Sequence, residues 1–155
     1  MGLIDWCKNI ATLGPVGYWP APGTSASAIV FLVLFFLTPF FSDKGWLLVT
    51  ALIIVFSFVV ISYVQKKLNW GDPSQIVIDE LVGSCVAVIA LPRTIPVYVI
   101  AFLLFRFFDI YKPWPINISE KAPGANGVLL DDIIAGSFTN SLLRIGLFVC
   151  LSYIS

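Results

Sequence analysis

The chain of 155 residues contains no histidine. That absence removes a histidine nucleophile, a histidine general base, a Ser-His-Asp triad and every imidazole metal site. Charge is scarce too. Asp, Glu, Lys and Arg make up 12% of the residues, against roughly 25% in soluble domains. Hydrophobic residues reach 59%, and the mean hydropathy is +0.95. So little polar surface cannot cover a water-exposed globule, so the composition predicts an all-α, polytopic membrane helix bundle. Nine cations balance nine acids, and this neutrality offers nothing to a nucleic acid. The three cysteines, Cys7, Cys85 and Cys150, have no metal-ligand spacing and read as small apolar fillers. The N-terminus lacks the pattern of a removable signal peptide. The length suits one domain, residues 1–155, with 1–23 as an N-terminal interfacial segment and 24–155 as the bundle.

Five apolar runs can be drawn, at about 26–41, 46–64, 76–91, 96–110 and 128–154. Crossing the hydrocarbon takes about 20 helical residues, so runs two and five span easily. The other three span, or partly span, only with their interfacial ends included. With the N-terminus in the cytoplasm, the inner segments carry Lys8, Lys66, Lys67, Lys112 and Lys121, and the outer loops only Lys44 and Arg93. That bias follows the positive-inside rule. The same orientation gathers Thr24, Asp79, Glu80, Arg106, Asp109, Lys112, Asp131 and Asp132 at the cytoplasmic face of a multi-pass protein.

Two segments align without a gap: "IDELVGS" from Ile78 and "LDDIIAG" from Leu130. Each puts two adjacent acids one helical turn before residues with almost no side chain. Small residues let helices approach closely and leave room beside the carboxylates. Acids at a helix start are also stabilised as dipole partners, by about 0.3–1 kcal/mol, but one acid would serve for that. Two adjacent pairs repel unless a cation joins them. Asp79, Glu80, Asp131 and Asp132 without histidine describe a hard-cation site, for Mg²⁺ first and Mn²⁺ second. Asp72, before Pro73 and three residues from Gln75, reads instead as a helix cap.

"FRFFDIYKPWPI" sets Arg106, Asp109 and Lys112 at three-residue steps along one helical stripe. Charge inside a membrane helix costs about 2.5–3.5 kcal/mol, and a short Asp cannot snorkel away from it. A cation-acid-cation stripe facing two acid pairs fits phosphate recognition, Arg as a planar fork and Lys as a point charge. Asp109 either orients Arg106 or joins the metal shell. In "PAPGTSAS", Thr24 and Ser27 supply hydroxyls at a helix start, where Thr24 can cap and free amides can hold an anion. Trp19 and Trp114 suit the headgroup level.

The motifs "APGTSAS", "DPSQIVIDELVG", "FRFFDIYKPWPI" and "GANGVLLDDIIAG" together resemble the phosphatidylglycerophosphatase A family, over about residues 14–136. The resemblance implies a bacterial inner-membrane, Mg²⁺-dependent enzyme that removes the terminal phosphate of phosphatidylglycerophosphate on the cytoplasmic side. It places Asp79, Glu80, Asp131 and Asp132 as catalytic and metal positions, and Arg106, Asp109 and Lys112 as its charged stripe. Two rival readings fit the sequence less well. A CDP-alcohol transferase lacks its D-G-x-x-A-R signature here. A cation transporter would set its acids near the midplane, not at one end. The general base, or attack by a carboxylate to give a phosphoenzyme, stays open at this level, as does the oligomeric state.

Overall fold

The computed structural model describes residues 2–70 and 74–154. Asp72 and Pro73, read above as a cap, lie outside them. The described residues form seven α-helices and no strand: α1 Leu3–Ala11, α2 Pro22–Leu37, α3 Asp43–Leu68, α4 Ile78–Ala87, α5 Ile95–Tyr111, α6 Ile116–Ser119 and α7 Ala125–Ile154. Three stretches are long and apolar enough to cross a membrane, Pro22–Phe40, Asp43–Leu68 and Ala125–Tyr153. Only 28% of the apolar stretch of α3 is buried within the bundle, so most of that helix is turned outward. The chain is a helical membrane protein.

The ends of these helices follow from local chemistry. Ser42 opens α3 by accepting the Gly45 N–H at 3.1 Å, Asp43 sits in the first turn, and Lys66 and Lys67 meet the carbonyl end. Pro96 starts α5, and Lys112 closes it in the left-handed conformation at φ +42°. Helix α2 begins at Pro22, after the left-handed Ala21, so Thr24 is already inside the helix and does not cap it. Helix α7 begins at Ala125, which carries Asp131 and Asp132 into its second turn. Dipole stabilisation at a helix start therefore does not account for this pair.

The third apolar run is the main departure from a five-span picture. It forms a helix of ten residues, about 15 Å at 1.5 Å per residue, half of a ~30 Å hydrocarbon core. A helix ending at that depth leaves carbonyls that water cannot satisfy. Helix α7 satisfies the last of them and one just beyond the helix: Asn140 Nδ2 donates to the carbonyls of Ala87 and Ile89 at 3.0 and 2.8 Å, and Arg144 Nη2 donates to Ile89 at 2.9 Å.

Helices α4 and α7 make the most extensive pairing in the bundle. Gly83 and Gly136 permit it, since a Cβ on either would collide with the backbone of the other helix. Around this crossing lies a core of Phe31, Leu34, Trp46, Cys85, Phe105 and Ala135. Cys85 is the buried filler expected; Cys7 is half-buried and Cys150 faces outward, so that role does not extend to Cys150. Helix α1 packs against α3 through Ala11, Val60 and Val64.

Candidate active site

The two acid pairs meet because the small residues behind them let α4 and α7 touch. Both pairs share one local device: the first carboxylate accepts the amide of the second, Asp79 Oδ1 from Glu80 at 3.0 Å and Asp131 Oδ1 from Asp132 at 3.1 Å. That bond fixes the first side chain near its own backbone and leaves the second to point across the crossing.

A cavity of about 420 Å³ opens there. Thr24, Asp79, Glu80, Arg106, Asp109, Lys112, Asp131 and Asp132 all line it. Ser27, the ninth residue singled out in the sequence, stands behind Glu80 and donates to its Oε2 at 2.7 Å.

Charge sorts into two clusters. Arg106 Nη1 lies 2.8 Å from both Glu80 oxygens and 2.8 Å from Asp109 Oδ2, and donates to Ser27 Oγ at 3.3 Å. Gly23 makes room for this cluster, because a Cβ there would strike Glu80 Oε1. Lys112 Nζ lies 2.8 Å from Asp131 Oδ2 and 2.8 Å from Glu120 Oε1. Partial burial alone would lower the pKa of this ammonium. The hydrogen bonds it donates to Asp131 and Glu120, and their negative charge, instead raise it above the ordinary lysine value.

Glu80, Asp109 and Asp132 each bring a carboxylate oxygen within 4.8 Å of the other two. Asp132 is 2% exposed, and its Oδ1 has no hydrogen-bond partner among the described residues. An orphaned buried carboxylate oxygen is costly unless something outside the protein completes it. An all-oxygen donor set fits a hard cation, so these three acids form a group that can bind a metal ion. Asp109, for which the sequence left open orienting Arg106 or joining a metal shell, lies both beside Arg106 and within this acid group, while Asp131 pairs with Lys112.

The sequence reading misses Glu120 and Ser74, both at this site. Glu120 follows the short α6 turn, where no periodicity links it to Lys112. Gly23 reads from the sequence as part of a rigid turn with Pro20 and Pro22, but the approach of Glu80 gives it a second reason.

A family model described as Phosphatidylglycerophosphatase A matches residues 9–147. The chain belongs to the phosphatidylglycerophosphatase A family. Two relatives named for that activity come from Haemophilus influenzae and Escherichia coli. The first is 33% identical over 143 residues, covering 84% of this chain and 88% of the relative. The second is 32% identical over 124 residues, covering 79% and 72%. A Bacteroides thetaiotaomicron protein, provisionally named a phosphatidylinositol-3-phosphatase, is 38% identical over 143 residues, covering 86% and 88%. No solved structure matches the chain. The family match extends from α1 into α7 and so includes every residue of the cavity.

Proposed function

We propose that this member of the phosphatidylglycerophosphatase A family hydrolyses the terminal phosphomonoester of phosphatidylglycerophosphate, with Mg²⁺ bound at Glu80, Asp109 and Asp132. One observation carries the proposal. The described wall of the cavity holds five carboxylates, Asp79, Glu80, Asp109, Asp131 and Asp132, against two cations, Arg106 and Lys112, or −3 with every group ionised. A phosphomonoester carries about −1.5 to −2 at pH 7, so this cavity repels it unless positive charge is added. Divalent cations supply that charge and, once bound, polarise the phosphate and lower the pKa of a bound water.

The chain's own residues have separate tasks. Arg106 and Lys112 hold the non-bridging oxygens and offset the charge that grows on them in the transition state. Ser27 and Gly23 keep Glu80 and Arg106 in register through short contacts. Asp79 takes the proton of the attacking water in this reading, which its half-buried position on the cavity wall supports. Hydrolysis forms a bond from the water oxygen to phosphorus and breaks the bond to the glycerol oxygen, which leaves with a proton. The products are phosphatidylglycerol and inorganic phosphate.

The bias of lysines toward the loops on the cavity's side supports a site facing the cytoplasm, and kinship with the family supports a bacterial inner membrane. The exposed Leu3 and Trp6 of helix α1 support an interfacial position for that helix. Purified protein in nanodiscs should release inorganic phosphate from phosphatidylglycerophosphate with Mg²⁺, stop with chelator, and lose activity in Asp132→Asn. Chelator-resistant release would sink the metal assignment. The 38% identity to the Bacteroides relative makes phosphatidylinositol-3-phosphate the second substrate to assay. Faster release from it would move the headgroup assignment without disturbing the phosphomonoester chemistry.

A further inference from the structure

A separate apolar groove lies along the side of the bundle, beginning one helical turn from the active-site cavity. Ser27 on α2 and Arg106 on α5 meet at the charged end. One turn along each helix stand Phe31 and Phe102, with ring centroids 5.9 Å apart. A further turn brings Phe35 and Tyr98, edge to face at 5.5 Å. These two pairs floor an apolar groove of about 330 Å³ between α2 and α5. Its rim is lined by Leu32, Phe36, Ile95 and Val99, exposed by 62%, 64%, 65% and 51%. Tyr98, the one hydroxyl-bearing residue of the lining, turns its Oη to Thr38 Oγ1 at 2.6 Å. The groove therefore presents only hydrocarbon and ring faces. From Arg106 to Ile95, α5 rises about 16 Å at 1.5 Å per residue, close to one leaflet of a ~30 Å hydrocarbon core.

We propose that the α2–α5 groove seats one acyl chain of the lipid whose phosphomonoester lies at Arg106. The inference rests on the lipid-phosphomonoester reading above and adds to it a chain subsite. Three features select an acyl chain as occupant: a wholly apolar lining, an open rim where lipid reaches it, and an upper end one turn from the phosphate-facing arginine. Bilayer lipid is as apolar as the groove, so transfer into it contributes little affinity. What the groove contributes is position. A chain held along α5 sets the depth and direction of its headgroup, and misplacement by 1 Å can cost about 100-fold in rate.

The test fills the rim and leaves the charged site alone. Val99→Trp and Leu32→Trp are compared with wild type on long-chain phosphatidylglycerophosphate and on its dihexanoyl form, whose chains stop short of Val99. Phe148→Trp, on the exposed face of α7, controls for added bulk toward lipid. The expected result is a fall of about tenfold in kcat/KM on the long-chain lipid, within the range that misplacement allows, and no change on the short one. The control should change neither. Equal loss on both substrates, or loss on neither, overturns the groove. A second measurement reads it without catalysis. A phosphomonoester lipid with a diazirine in its chain should label the groove severalfold more than a phosphatidylcholine with the same chain. Equal labelling also overturns the groove. If the wild type released phosphate from no lipid, the activity reading would fail while labelling still decided the chain site.

Discussion

Gly136 of α7 lies against the carbonyl of Gly83 on α4, with no space for a Cβ between them. Every later feature of the site depends on that contact. A Cβ on Gly83 would also strike the Phe105 ring and crowd the Asp132 carbonyl, so the crossing sits directly beneath the acids. Gly136→Val should therefore destabilise the bundle by about 1–3 kcal/mol, as overpacking does. Activity should fall with it, because Glu80 and Asp132 would move apart. Thermal unfolding in detergent checks the first effect, and an unchanged melting temperature would show that the helices can part freely.

Arg106 and Glu80 form an ion pair whose side chains are 13% and 9% exposed. Removing one partner of a buried pair typically costs about 3–5 kcal/mol, because the remaining charge stays desolvated. Arg106→Ala should thus melt earlier than Arg106→Lys in chelator, while both lose most of kcat/KM. Lys restores charge but not the planar fork that reaches Glu80, Asp109 and Ser27 together. Equal melting of the two variants would argue against a buried pair.

Asp109 and Asp131 should separate in their dependence on metal. Asp109→Asn removes a converging oxygen and should weaken Mg²⁺ activation by about 10–100-fold, as loss of an anionic partner at a metal site commonly does. Asp131→Asn leaves Lys112 with Glu120 as its one anionic partner among the described residues and should raise KM with a smaller change in the Mg²⁺ requirement. Calorimetric titration of Mg²⁺ into both variants distinguishes them. Matching metal affinities would place Asp109 as an orienter of Arg106.

Lys112 is held charged by Asp131 and Glu120. A cation whose folded pKa is raised contributes its stability fully below the unfolded lysine value of about 10.4, and loses it as pH rises through the folded value. Lys112 should therefore produce no inflection in kcat/KM between about pH 6 and 9. Profiles of wild type and Lys112→Arg should have the same shape over that window. A wild-type inflection near neutrality that disappears in the arginine variant would contradict this assignment.

Composition and pattern already specify much of the molecule. Scarce charge requires a membrane bundle, because there is too little polar surface for water. The repeated acid-acid-small pattern predicts a close helix crossing beside carboxylates, and Gly83 and Gly136 form it. The candidate residues from Thr24 to Asp132 come to one cavity because each lies at the same end of its apolar run, and run ends share a membrane face. These features are one-dimensional: hydropathy and helical period carry them.

Partnership is three-dimensional, and only the packed helices decide it. Arg106 and Lys112 lie on one stripe of "FRFFDIYKPWPI", yet Arg106 turns to Glu80 and Asp109 while Lys112 reaches Asp131 and Glu120. The cause is the end of α5 at Lys112, whose left-handed backbone redirects its side chain away from the helix face. The depth of Asp132, two turns into α7, and the half-membrane length of α4 are likewise set by packing. Hydropathy records that a segment prefers lipid, but the crossing at Gly83 fixes how deep each carboxylate sits and which charge it meets.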